Sequence, residues 1–593
     1  MARPTAVSGT SSTPWRRAVW AVALLGVLLT WGATWHRTPT SDEPRHLQMG
    51  RQVLLERDWA RFDNSKMPVS ALNALPTAIT GPPRDEGPEI THRDWFWPRM
   101  PQALWLLGTV LVAAAWARRL WGAQAGLVAA AFVALDPNLQ AHAGLVTTDA
   151  PIVFLVLAAC YTAWRAVEQP DWPNWVIAGA VFGVAQAAKF TAAFLVPILG
   201  LAIPAALVWR RLSSGRWSAR VGRPLAYLFT AWLVLNACYG FQGSFTPASE
   251  ITWRSNLMAP LADVDVPLPV PRPWVEGLDW VRSDDENGSG NIYAEGEFTA
   301  DGRADHYLKA ATRKLTLPLL LLGLAGVLWP RRRGREDLFL VWPALFLAAW
   351  FSLAFNFQIG TRYLLPVIPL LAVGAARLPW RVGLAGALLA GLSGLSWFPH
   401  SLCYQNERLL DRAQAWRFVA DSDLDWDQHG GEAKAWLERN PLGVADADVP
   451  AVGPMLVGAN RLVGVWGHPG RFACLREHFP PSEHIATSWY PYDLSAEELE
   501  ACFPRQVYEP GQGTWSFEHA GGPVVVAARV RGDASLQVGA GDQLHVQAPS
   551  HQQGLLAVIV DAPPGSITVS VVGRVQGLYA NARPHPDAPF EDR

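Results

Sequence analysis

The residues best suited to chemistry in this chain are isolated charges at the ends of long hydrophobic runs. Asp42 and Glu43 stand side by side in "TPTSDEPRHLQMG", with His46 one helical turn further on. His142 and Asp149 fall in "DPNLQAHAGLVTTDAP", Lys189 in "AAKFTAAFLVP", and Arg362–Tyr363 in "GTRYLLPVIPLL". Lys66, in "NSKMPVSALNALP", is one of only five lysines. Charges near membrane depth are costly and mark pathways or sites. A carboxylate can take a proton from a hydroxyl, and Lys or Arg can stabilise a departing phosphate. Together on one membrane face, these groups suit transfer of a group from phosphate to a hydroxyl.

Each residue also has a plainer reading. Asp42–Glu43 can open an interfacial helix, because acids favour a first turn. Asp149 can do the same with Thr147 or Thr148 as cap, and Lys189 can snorkel. His46 and His142 can be hydrogen-bonded interface histidines. Asp-Glu-x-x-His lacks the two-histidine spacing of a zinc helix. No cofactor is required, and a divalent metal is left open. What sets these residues apart is their coincidence on one face.

That face depends on the elements carrying them. The chain of 593 residues is 50% hydrophobic and contains 30 Trp, while charged residues supply only 17%. Soluble domains average roughly 25% charged. A net charge of −2 gives no reason to expect nucleic acid. Hydrophobic runs fill the chain from Ala18 to Trp397 and then stop. They number about eleven: 18–34, 103–117, 123–135, 150–164, 175–188, 190–209, 225–239, 317–328, 338–355, 363–375 and 382–397. The Arg-rich loops "WARRLWG", "WRRLSSGRWSARVGR", "WPRRRGRED" and "ARLPWR" fall on one side if the spans alternate. The positive-inside rule makes that side cytoplasmic. Loops 35–101 and 240–316 and the tail then face outward with the candidate residues.

The expected fold is an α-helical polytopic membrane protein with a C-terminal extracytoplasmic α/β domain. Residues 1–400 form the membrane part and 401–593 the soluble part. "SDLDWDQHGGEAKAWLERN" has helical spacing. From about residue 523, "PVVVAARVRG", "LHVQAP" and "SITVSVV" read as strands. The last residues read as disordered. Of five Cys, Cys474 and Cys502 are the first choice for a disulfide in an outer tail.

In order, "SDEPRHLQMG", "DPNLQAHAGLVTTDAP", "AAKFTAAFLVP", "GEFTADGRADHYLKAATRKLTLPLLLL", "GTRYLLPVIPLL" and "DSDLDWDQHG" resemble the multi-spanning GT-C glycosyltransferases. The likeness is to bacterial relatives of protein O-mannosyltransferases and of the lipid A aminoarabinose transferase. It implies a hexosyl or pentosyl transferase of the bacterial inner membrane. A polyprenyl-phosphate-linked sugar would be the donor, and a hydroxyl on protein, lipid or envelope glycan the acceptor. It implies Asp42 as general base, Glu43 as its partner, Asp149 as second acid and Lys66 as a phosphate contact. Arg362 is a plausible phosphate clamp. "KMPV" and "DWDQ" depart from the family's pattern, and the β-rich end matches none of it. A membrane transporter and a non-enzymatic envelope assembly protein are the rival functions.

Overall fold

A computed structural model gives the architecture. It describes residues 13–58, 68–83, 92–209, 217–288, 292–299, 302–329, 334–441, 443–446, 450, 453–466, 472–495, 498, 514–519, 522–540, 543–550, 554–562 and 565–581. Two compact units emerge: Met1–Ser289 with Asp301–Arg408, and Gly290–Ala300 with Leu409–Arg593.

The first unit is helical, and each of the eleven hydrophobic runs lies on a helix. In chain order these are α1 (Thr13–Thr34), α2 (Glu43–Arg51), α3 (Ser70–Thr80), α4 (His92–Arg99), α5 (Gln102–Trp121), α6 (Ala123–Leu135), α7 (Pro137–His142), α8 (Asp149–Glu168), α9 (Trp172–Gln186), α10 (Leu195–Trp209), α11 (Trp217–Cys238), α12 (Arg272–Asn287), α13 (His306–Lys314), α14 (Leu317–Leu328), α15 (Asp337–Leu353), α16 (Val367–Ala375) and α17 (Trp380–Leu395). Among the described residues, four helical segments are long and apolar enough to cross a bilayer: Pro14–Thr34, Asp94–Trp121, Asp149–Glu168 and Phe190–Trp209. The pair α13–α14, bent by 117°, adds a fifth if it counts as one span. Helices α6, α15 and α17 are shorter and apolar.

Helix α6 shows why the core sits where it does. It is apolar all round, and every residue from Ala125 to Leu135 is buried. A helix without a polar face belongs at the centre of a bundle. Small residues allow its neighbours to close in. A Cβ on Gly126 would stand 2.9 Å from the Ala114 carbonyl of α5, so that crossing requires glycine. At its far end Asp136 accepts from the Asn138 and Leu139 N–H groups, capping α7.

Polar tethers then fix the segments that carry the site. Asn138 donates to the Lys314 carbonyl at 2.8 Å, Lys314 Nζ to the Leu402 carbonyl at 2.8 Å, and Arg37 to Ala141 O at 3.1 Å. Each ties segments far apart in sequence, and each satisfies a buried group.

The second unit is mixed. Strands β1 (Ile292–Ala294) and β2 (Glu297–Thr299) form a hairpin. Tyr293 donates its hydroxyl to the Trp416 carbonyl at 2.9 Å. Helix α18 (Gly430–Arg439) accompanies a three-stranded sheet ordered β3 (Val444–Ala445), β4 (Gly453–Gly458), β5 (Trp489–Leu494). The β-rich end begins at Thr514, before the expected 523, because "TWSFEH" pairs with the last strand. Its strands are β6 (Thr514–His519), β7 (Gly522–Ala540), β8 (Gln543–Ser550), β9 (Gly554–Ala562) and β10 (Gly565–Asn581), ordered β6-β10-β7-β8 with β9 also on β7. Cys474 is disulfide-bonded, Cys160, Cys238 and Cys403 are free thiols, and Cys502 lies outside the described residues. The expected disordered end, 582–593, also lies outside them.

Candidate active site

The sequence "TSDEP" turns sharply into α2, and this turn sends its two acids in different directions. Glu43 reaches back to accept from the Thr40 N–H at 2.9 Å and Thr40 Oγ1 at 3.2 Å, in the pattern of a capping box. It is fully buried and also accepts from the Val146 N–H at 2.9 Å and from Arg99 Nε at 2.7 Å. The expected partner of Asp42 thus sits in a buried network of its own, apart from the cavity that Asp42 lines. Both its oxygens are occupied by structural donors, and consecutive residues at a helix start point to different sides.

Asp42, by contrast, makes no capping bond, and its side chain keeps 39% of its exposure. It lines a cavity of about 210 Å³ with Arg45, His46, Thr148, Lys189, Arg362 and Tyr363 among the walls. Arg362 Nη1 stands 3.0 Å from Asp42 Oδ2, and Arg362 Nε stands 3.0 Å from Asp149 Oδ2. One guanidinium thus joins two carboxylates drawn from distant parts of the chain.

Asp149 is fully buried at the start of α8. Its Oδ1 receives Lys189 Nζ at 2.5 Å, and His142 Nδ1 lies 3.4 Å from its Oδ2. Thr147 accepts from the Asp149 N–H at 3.3 Å, whereas Thr148 makes no capping bond. Asp149 and His142 do not line the cavity; Asp149 holds two of its cations from behind, with His142 against it. Tyr363 stacks on Phe351 at 4.9 Å, and Lys189 Nζ sits 5.3 Å from the Tyr363 ring centre. Burial pulls the Lys189 ammonium below its usual range, against the attraction of Asp149. Burial likewise lowers His46 to about 4, the nearby Asp42 opposing it, so the imidazole is neutral at pH 7.

The structure thus brings together Asp42, His46, Asp149, His142, Lys189, Arg362 and Tyr363. Lys66 lies outside the described residues. Sequence reasoning missed Arg99, Arg45 and Thr148. Arg99, a lone arginine in "FWPRMPQALW", carried the same signal that singled out Arg362: a charge beside an apolar run. Among the described residues, three cations line the cavity and one acid faces it, a balance suited to an anion such as phosphate. The "DSDLDWDQHG" acids lie in the second unit, where burial, reinforced by Asp427 and Asp446, raises Asp425 to about 7.

Residues 89–239 match the family model described as dolichyl-phosphate-mannose-protein mannosyltransferase. The resemblance to the GT-C glycosyltransferases is borne out. The match contains Arg99, His142, Asp149 and Lys189, and neither Asp42 nor Arg362. No individual curated protein matches the chain. Among solved structures, ArnT from Cupriavidus metallidurans in the apo state is 18% identical, over 65% of this chain and 64% of that one, with a TM-score of 0.40. Its complex with undecaprenyl phosphate gives 18%, 69% and 70%, and 0.43. The S. cerevisiae protein O-mannosyltransferase Pmt1-Pmt2 complex bound to the sugar donor gives 19%, 38% and 33%, and 0.33. The oligosaccharyltransferase AglB from Archaeoglobus fulgidus, with an inhibitory peptide and a dolichol-phosphate, gives 10%, 94% and 94%, and 0.46. The chain spans slightly under two thirds of the apo ArnT chain.

Proposed function

We propose that this chain transfers a sugar from a polyprenyl-phosphate donor to a hydroxyl acceptor at the outer face of a bacterial cytoplasmic membrane. The observation that carries the reading is Arg362 spanning Asp42 and Asp149, with Lys189 completing a cationic wall opposite one accessible carboxylate.

Asp42 takes the proton of the acceptor hydroxyl as its oxygen bonds to the anomeric carbon. The bond from that carbon to the phosphate oxygen breaks on the opposite side, so the configuration inverts. The polyprenyl phosphate departs with the electron pair, and Lys189 and Arg362 take up its growing negative charge. Asp149 acts as a positioning residue, because both its oxygens are engaged by the cations and His142. An outer location of the second unit is supported by the positive-inside reading of the arginine-rich loops and by the Cys474 disulfide, which fits an oxidising compartment.

The test is release of polyprenyl phosphate from a radiolabelled polyprenyl-phosphate sugar by the purified full chain, with hydroxyl acceptors supplied from envelope extracts. Acceptor-dependent release, abolished by Asp42→Asn in a folded protein, supports the reading. Absence of release with every donor offered, or release untouched by Asp42→Asn, overturns it.

A further inference from the structure

A second cavity in the helical unit shares no lining residue with the candidate active site. It measures about 190 Å³ between the start of α1, the end of α5 and the start of α6, and Trp15, Arg16, Trp20, Ala115, Arg118 and Gly126 are among its walls. Among the described residues no carboxylate lines it. Among the described residues, neither Arg16 nor Arg118 has an acidic partner.

Arg118 sits in the last turn of α5, where a cation complements the helix carbonyls. Arg16 lies on the same arginine-rich side, which the positive-inside rule makes cytoplasmic. It occupies the first turn of α1, the positive end of the helix dipole, where a further cation is disfavoured. Two guanidiniums beside one cavity, one of them against its own helix dipole, call for an anion between them.

The surroundings say what kind. Trp20, Leu24 and Leu28 of α1 are exposed by 43%, 51% and 60%. Their i, i+4, i+8 spacing makes them one stripe running down the helix from the cavity wall. Trp15 and Trp20 are the amphipathic residues that settle at headgroup level. The cavity has room for about six waters' worth of volume, enough for a phosphodiester with its glycerol but not for acyl chains.

We infer that Arg16 and Arg118 bind the phosphate of an anionic phospholipid whose acyl chain lies along the Trp20–Leu24–Leu28 stripe. The site goes beyond the proposed transfer reaction and uses none of its residues. Its role is to anchor α1 and α5 in the leaflet at the arginine end.

The test uses the purified full chain in neutral detergent, titrated with phosphatidylglycerol, phosphatidylcholine or soluble glycerol phosphate. Retained lipid is counted by native mass spectrometry, and thermal unfolding is followed in parallel. Phosphatidylglycerol should bind about tenfold more tightly than phosphatidylcholine, as two basic contacts near one headgroup imply, and should raise the melting temperature. The preference should vanish in R16Q/R118Q. Because that variant can fail to insert, Ala115→Phe fills the cavity with both arginines kept, and it should abolish the preference as well. Equal binding of the two lipids overturns the inference, as does a preference that survives Ala115→Phe. A stabilisation by glycerol phosphate equal to that by the lipid overturns the lipid assignment.

Discussion

Arg99 meets Glu43 in a two-pronged ion pair, Nε to Oε1 at 2.7 Å and Nη2 to Oε2 at 2.5 Å, with both side chains fully buried. The same guanidinium donates to the Arg37 and Thr38 carbonyls at 2.9 and 2.8 Å. Glu43 also holds the Val146 N–H, so the pair fastens the turn carrying Asp42 to the segment leading into Asp149. Breaking one side of such a pair leaves a buried charge uncompensated and costs about 3–5 kcal/mol. Arg99→Met and Glu43→Gln should each lower the melting temperature markedly, while the double variant should lose less than the sum of the singles. Additive losses in thermal unfolding would show that the two residues act independently.

Asp42→Asn should lower turnover by roughly 10²–10⁴-fold, the usual loss for a general base. Stability should hardly change, because Asp42 caps nothing and keeps 39% of its side-chain exposure. Single-turnover kinetics with thermal unfolding on the same sample separate the two effects. Near-normal turnover would move the base elsewhere.

Arg362→Lys tests the bridge. A lysine is a point charge and cannot span Asp42 and Asp149 as the planar guanidinium does. Loss of one charge-assisted bond implies a fall of roughly ten- to a hundred-fold in kcat, with Arg362→Ala lower still and acceptor KM little changed. Lys189→Ala should behave like Arg362→Ala, since both cations meet Asp149. Wild-type kcat in Arg362→Lys would reduce Arg362 to a membrane anchor.

His46 gives the fold a pH dependence of defined sign. The folded protein holds it neutral down to about 4, while an unfolded chain protonates it from 6.5 downward. Its contribution is present above 6.5 and is lost as pH falls towards 4, up to about 3 kcal/mol in all. The melting temperature should drop over that interval, and His46→Gln should flatten the drop. An identical profile in His46→Gln would remove the histidine from the explanation.

Much of the site was legible because membrane helices advertise themselves. A lone Lys189 or Arg362 beside an apolar run is conspicuous in a way that no charge in a soluble loop can be. The pairing of those charges was not legible, since Arg362 and Asp149 are brought together by helix packing across 213 residues. Nor did the sequence show that Asp42 and Glu43 meet different surroundings, since neighbours at a helix start point to different sides. The span count of about eleven rests on hydrophobic runs, whereas four helical segments among the described residues are long and apolar enough to cross a bilayer, or five with the bent pair α13–α14. The β-rich end was visible from its alternation, but Thr514–His519 was not. Its pairing with β10 is long-range, and the stretch itself is only six residues.

The hairpin β1–β2 belongs to the second unit although it is written into the first, and this sets a schedule for synthesis. Tyr293 leaves the ribosome 123 residues ahead of Trp416, whose carbonyl its hydroxyl must find. At about 5–20 residues per second that is a wait of roughly 6–25 s, during which helices α13 to α17 are inserted. Through that interval the Tyr293 hydroxyl lacks the carbonyl it meets in the folded protein, and two three-residue strands are too short to hold an aromatic face together alone. A chain stalled in this window would present those strands to chaperones and proteases, so the later helices govern the survival of an element they never touch in sequence.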